Sequence, residues 1–116
     1  MSVTLNGTNG VTFPDTGVFT NAVGTTTTNG YQKLPNGLIL QWGTGTAVAG
    51  GNSTVTFPIA FPTACLMVNG TPFYGTTGNQ CNCTLISSST TQAVFYVFCY
   101  SNGGLAVAPK WIAIGY

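Results

Sequence analysis

The chain has 116 residues and a mass of 12.0 kDa, room for one small domain around one core. Only Asp15, Lys33 and Lys110 are charged, 3% of the sequence where an ordinary soluble domain has about 25%. Two lysines and a net charge of +1 exclude nucleic-acid binding by counterion release, and leave copies of the chain without mutual repulsion.

The first thirty residues differ from the rest. Met1 to Gly10 has neither a cationic start nor an apolar stretch, so no signal peptide is expected. The chain should then stay in the cytoplasm or leave it within an assembled particle. Leu5 to Phe13 and Gly17 to Phe19 are short β-like pieces with a turn expected at Asp15 to Gly17. Ala22 to Gly30 is nearly all Thr, Gly and Asn, too poor in apolar area to pack alone. Residues 1–30 are therefore expected to form an extended attachment or stalk segment, with the compact domain at 31–116. Val11, Phe13, Val18 and Phe19 would bury against other copies; two extra strands on the same domain are the alternative.

From Tyr31 onward the pattern is that of strands. Gly and Pro interrupt every long stretch, and no window sustains the three-and-four spacing of a helix. Asn36-Gly37 predicts a two-residue hairpin turn, after which Leu38, Leu40 and Trp42 share one face and Ile39 and Gln41 the other. Ser53 to Phe57 alternates, with Val55 and Phe57 expected inward. Pro58 and Pro62 bracket an edge or crossing segment, Ile59 to Phe61. Strands are predicted over Ala64 to Val68, Cys81 to Ile86, Ala93 to Tyr100 and Lys110 to Gly115. Turns are predicted at Asn69-Gly70, Gly75 to Asn79, Ser87 to Thr91 and Asn102 to Gly104. Short strands with Gly-rich turns predict an all-β fold, an antiparallel β-sandwich or a related barrel. The apolar runs fall short of the roughly 18 residues of a membrane helix, so membrane insertion is not expected.

The residue inventory argues against catalysis. There is no His and no Glu, and Asp15 is the one side-chain carboxylate. An acid–base carboxylate pair within one chain is thus impossible, and so are Ser-His-Asp and Cys-His arrangements. No catalytic residue, metal site or cofactor is expected. Cys81 and Cys83, two apart on a strand, would share an inward face with Leu85. Reduced, buried thiols are the preferred reading of the four cysteines, with disulfides and metal as alternatives.

Recognition is expected to fall to aromatics. If Phe95, Val97 and Cys99 face the core, then Tyr96, Phe98 and Tyr100 cover the opposite face. Such a stripe would be sticky on a monomer, and a subunit interface is preferred for it over a sugar platform. The loop Gly70 to Asn79 sets Phe73 and Tyr74 among Thr76, Thr77 and Asn79. An aromatic ring among neutral hydroxyls and amides is a composition that suits a carbohydrate. A surface of neutral polar groups suits obligate partners or sugars in general, and a neutral extracellular monomer is the alternative.

Gly30-Tyr-Gln-Lys-Leu-Pro-Asn-Gly-Leu-Ile-Leu-Gln-Trp-Gly43, followed by Phe57-Pro-Ile-Ala-Phe-Pro-Thr-Ala-Cys65, resembles the start of the C-terminal domain of caudoviral tail-fibre proteins. The closing Lys110-Trp-Ile-Ala-Ile-Gly-Tyr116 is similar to the aromatic ending of that group. The resemblance implies a β-sandwich knob that forms a homotrimer and binds a host surface receptor, carbohydrate among the options. The family's exposed loops vary and offer no binding residues to transfer, so composition and alternation supply the candidates: Phe73, Tyr74, Thr76, Thr77 and Asn79 for the receptor, and Phe13, Phe19, Tyr96, Phe98 and Tyr100 for the trimer interface. The implied setting is a virion assembled in the host cytoplasm, with other tail or capsid proteins as partners. Most such knobs end long fibres, whereas this chain has almost no shaft. A short fibre, a tip adaptor or a purely structural capsid-decorating fibre would each account for that.

Overall fold

Alternating burial along short strands builds the fold. A computed structural model describes residues 4–6, 10–12, 28–34, 37–73, 80–100 and 105–116. Its strands are β1 (Thr4–Asn6), β2 (Gly10–Thr12), β3 (Gly30–Lys33), β4 (Ile39–Thr44), β5 (Gly51–Thr56), β6 (Cys65–Phe73), β7 (Cys81–Ser88), β8 (Gln92–Cys99) and β9 (Ala108–Gly115). No α-helix occurs among the described residues. β1 and β2 pair antiparallel as a two-stranded sheet of their own. The remainder form a four-stranded sheet, in the order β3-β4-β9-β6, and a three-stranded sheet, in the order β5-β8-β7, all antiparallel.

The two larger sheets face each other as a sandwich. Ile39, Val68, Trp111 and Ala113 from one sheet share a single core with Val55, Ala93, Phe95, Val97 and Cys99 from the other. The predicted inward positions Val55, Phe57, Phe95, Val97 and Cys99 are all buried. On β4 the inward face is Ile39, Gln41 and Gly43, which leaves Trp42 half-buried on the outer side. Trp111 on β9 is the indole that fills the core, tilted against Phe57 at 5.4 Å between ring centroids.

Gln41 explains how an amide survives there. Its Nε2 donates to Ile59 O at 2.9 Å, and its Oε1 accepts from Ile59 N–H at 3.1 Å. The side chain thus acts as a short piece of β-ladder for the non-strand segment between β5 and β6, whose two prolines remove backbone donors. Pinned this way, the segment delivers Phe61 into the core, edge-on to Phe57 at 5.2 Å. Ser53 plays a similar part: buried, it donates through Oγ to Thr46 O at 2.7 Å and holds the loop between β4 and β5.

Three turn expectations need correction or refinement. Leu34 N–H donates to Leu38 O at 2.7 Å, so the β3–β4 loop spans three residues rather than two, and Gly37 supplies the positive φ of 86°. Asn69-Gly70 is no turn but the middle of β6. Gly70 is there because a Cβ would come within 2.7 Å of the Phe95 ring, a close approach between sheets rather than a bend. The turn after β7 does form, with Ser89 Oγ accepting the N–H groups of Thr91 and Gln92 at 3.2 Å each.

These contacts set an order of severity. Trp111→Ala should lose about 3–5 kcal/mol in urea unfolding, as expected for emptying an aromatic from a core. Trp42→Ala should lose clearly less, and equal losses would show the inward face of β4 to be misassigned. Gln41→Leu should lose about 1–3 kcal/mol for each Ile59 backbone group left unpaired, an effect absent if water reaches that segment.

Candidate functional site

The outer face of the three-stranded sheet carries the aromatic stripe. β8 alternates, so burying Phe95, Val97 and Cys99 turns Tyr96, Phe98 and Tyr100 outward. Tyr96 is 43% and Tyr100 69% exposed, while Phe98 is half-buried. The Phe98 and Tyr100 rings stand edge to face at 5.0 Å and 89°. Directly across the ladder, Asn82 lies opposite Phe98 and Thr84 opposite Tyr96. These five residues line an open depression of about 290 Å³. Sequence reasoning found the three rings but not Asn82 and Thr84, because only the β7–β8 register brings them alongside.

One further step along the same ladder, Cys81 and Cys99 are opposite each other and joined by a disulfide across 18 residues of sequence. This corrects the preference for four reduced thiols. The Cys81–Cys83 spacing along one strand carries no sign of the partner across the ladder, Cys99. Cys65 and Cys83 are free and partly buried. Burial pushes both thiols above their ordinary value, in Cys65 against smaller opposing effects of hydrogen bonding with the Met67 backbone and the Ser88 side chain. Leu85, expected inward beside them, is 41% exposed, since β7 is an edge strand and its register shifts between Leu85 and Ser87. Among the described residues, no three of His, Cys, Asp and Glu come together.

A second exposed apolar face lies on the four-stranded sheet. Leu40, Ile114 and Met67 form one row across β4, β9 and β6, and Trp42, Ile112 and Asn69 form the next. Met67 is 66% and Ile112 49% exposed. Leu40, Met67, Asn69, Ile112, Ala113 and Ile114 border a shallow groove of about 150 Å³ in which Asn69 is the one polar side chain. The signal was available in Lys110 to Gly115, where alternate residues on both faces are apolar.

Phe73 ends β6 on this same sheet, exposed, with Lys110 Nζ 3.9 Å above its ring. It therefore sits on a different sheet from Tyr96, Phe98 and Tyr100. The other receptor candidates, Tyr74, Thr76, Thr77 and Asn79, and the interface candidates Phe13 and Phe19 lie outside the described residues.

Residues 33–116 match the family model described as "Putative tail fiber protein gp53-like, C-terminal". The chain belongs to this tail-fibre family. The same fold recurs in an N-truncated R2-type pyocin tail fibre, with a TM-score of 0.70 and 27% identity over 84% of this chain and 39% of that one. It recurs again in a C-terminal fragment of the P. aeruginosa R1 pyocin fibre, with a TM-score of 0.67 and 34% identity over 84% of this chain and 29% of the other. An uncharacterised protein of Methanocaldococcus jannaschii is 34% identical over 98 residues, 76% of this chain and 63% of that protein. The tail-fibre chain thus spans under two thirds of these relatives. Its membership makes it a virion-type structural component, all-β and built on antiparallel sheets.

Thiol chemistry tests this tail-fibre domain's cysteine assignment. Under native conditions without reductant, mass spectrometry after iodoacetamide should find Cys81 and Cys99 unlabelled, and labelled only after reduction. Cys65 and Cys83 should label more slowly at pH 8 than in unfolded protein, because their raised pKa leaves less thiolate. Equal rates in the two states would remove the burial argument. Replacing Cys81 and Cys99 together with Ser should lower stability by about 3 kcal/mol, the loop-closure value for a bridge of this length.

Proposed function

We propose that this chain is the receptor-binding knob of a phage tail fibre, a non-catalytic homotrimer that engages a host surface glycan during adsorption. The observation that carries the reading is the match of residues 33–116 to a tail-fibre C-terminal family, with pyocin tail fibres sharing the fold. The surface chemistry is in keeping with it. Among the described residues only Lys33 and Lys110 are charged, and both sheets carry apolar or aromatic side chains outward. A sandwich greasy on both outer faces has surface to cover with its own copies and surface left for a ligand.

Copies of the chain cover the drier face, around Leu40, Met67, Ile112 and Ile114. An uncharged apolar groove excludes water well and offers little to a polar ligand. Residues 1–30, with Phe13 and Phe19, extend the contact and join the knob to its neighbours in the particle. Phe73 and the loop to Asn79 reach the receptor. Several copies per particle multiply weak individual contacts into firm adhesion.

Light scattering should give a mass near three times 12.0 kDa, falling to the monomer value in Met67→Glu and Ile112→Glu. Wild-type protein that is monomeric at micromolar concentration would remove the trimer. Saturating purified protein should block adsorption of the phage to host cells. No effect on adsorption would leave a purely structural virion component, such as a tail adaptor or a capsid-decorating fibre.

A further inference from the structure

We infer that the depression on the outer face of β7 and β8 is a binding site for a neutral saccharide. This goes beyond the receptor-binding reading, on which its biological role rests, by adding a second contact on the sheet that does not carry Phe73 and by naming its ligand class. The lining is Tyr96, Phe98, Tyr100, Asn82 and Thr84: three rings, one amide and one hydroxyl, with no charged group. A pyranose has an apolar C–H face and a girdle of hydroxyls. The C–H face packs on the negative face of an aromatic ring, while neutral amides and hydroxyls exchange hydrogen bonds with the girdle. About 290 Å³ is at the small end of ligand sites and holds one or two sugar rings.

The arrangement is prepared before any ligand arrives. The edge-to-face pair Phe98 and Tyr100 forms a corner of two perpendicular planes, so a sugar stacked on one ring meets the second along its side. Asn82 Oδ1 accepts the Cys83 N–H at 3.1 Å, which leaves the amide NH₂ as a donor. The Cys81–Cys99 bridge clamps the two strands next to the Asn82 and Phe98 pair. Fixed side chains on a clamped ladder lose little freedom on binding, which favours weak, small ligands. The absence of a lysine or arginine in the lining disfavours acidic sugars.

The competing occupant is a second copy of the chain. The groove around Met67 and Ile112 is the better candidate for that role, because Asn69 is its one polar side chain, whereas the aromatic depression mixes rings with polar groups.

Saturation-transfer NMR on the full chain tests the inference, with the methyl glycosides of glucose, galactose, mannose, rhamnose and N-acetylglucosamine as probes and methyl glucuronide as the charged control. At least one neutral glycoside should take up saturation at its ring C–H protons. Tyr96→Ala and Tyr100→Ala should each weaken that binding at least tenfold, while Lys33→Ala, exposed on the edge strand of the other sheet, leaves it unchanged. All three variants should keep the wild-type mass in light scattering. No binding by any neutral glycoside overturns the inference, and so does a fall to monomer mass in Tyr100→Ala, which would make the stripe a subunit contact. Binding that survives both tyrosine variants overturns the site. If the protein blocks adsorption but binds no glycoside, the receptor reading stands and the saccharide site falls. If glycosides bind at the tyrosines but adsorption is unaffected, the site stands and the receptor reading falls.

Discussion

The sandwich depends on the pair of hydrogen bonds between the Gln41 side chain and the Ile59 backbone. Burying an amide is unfavourable unless its donor and acceptor are both engaged, and here each finds one partner on the same residue. The interaction joins two stretches that a sequence comparison treats separately, the β4 strand and the proline-bracketed segment after β5. Phe57, Phe61 and Trp111 then close over the junction, with Phe57 in contact with each of the other two rings. The motifs that mark the family are thus instruments of folding. They meet inside the core.

This accounts for what could be read from the sequence and what could not. Strand positions followed from Gly and Pro punctuation and from alternation, and the inward sets of β5 and β8 followed from parity alone. On β4 parity separates Ile39 and Gln41 from Leu40 and Trp42 without saying which set faces inward, and the deciding partner, Ile59, lies in another segment. Asn69-Gly70 read as a turn because glycine permits bends, but here glycine is needed for the approach of Phe95. Cross-strand neighbours were hidden throughout. The disulfide between Cys81 and Cys99 and the company of Asn82 and Thr84 beside the rings both depend on register, which no local pattern supplies.

The two outer faces divide chemically. One is a row of aliphatic side chains over three strands of the four-stranded sheet; the other is a set of rings with an amide and a hydroxyl beside them. With only two lysines for charge among the described residues, neither face is guarded by repulsion. The chemistry of contact is therefore set by shape, apolar area and neutral hydrogen bonding. Salt should affect such contacts little, because there is almost no charge to screen.

β9 lies in the middle of its sheet, between β4 and β6, although it follows all the other strands in the chain. During synthesis β4 and β6 must therefore wait with bare backbone edges until β9 slides between them, a long-range closure of the kind that slows folding. Ile112 and Ile114, which belong to the aliphatic outer row, arrive with that same strand. The aliphatic patch is therefore complete only once its own sheet is shut.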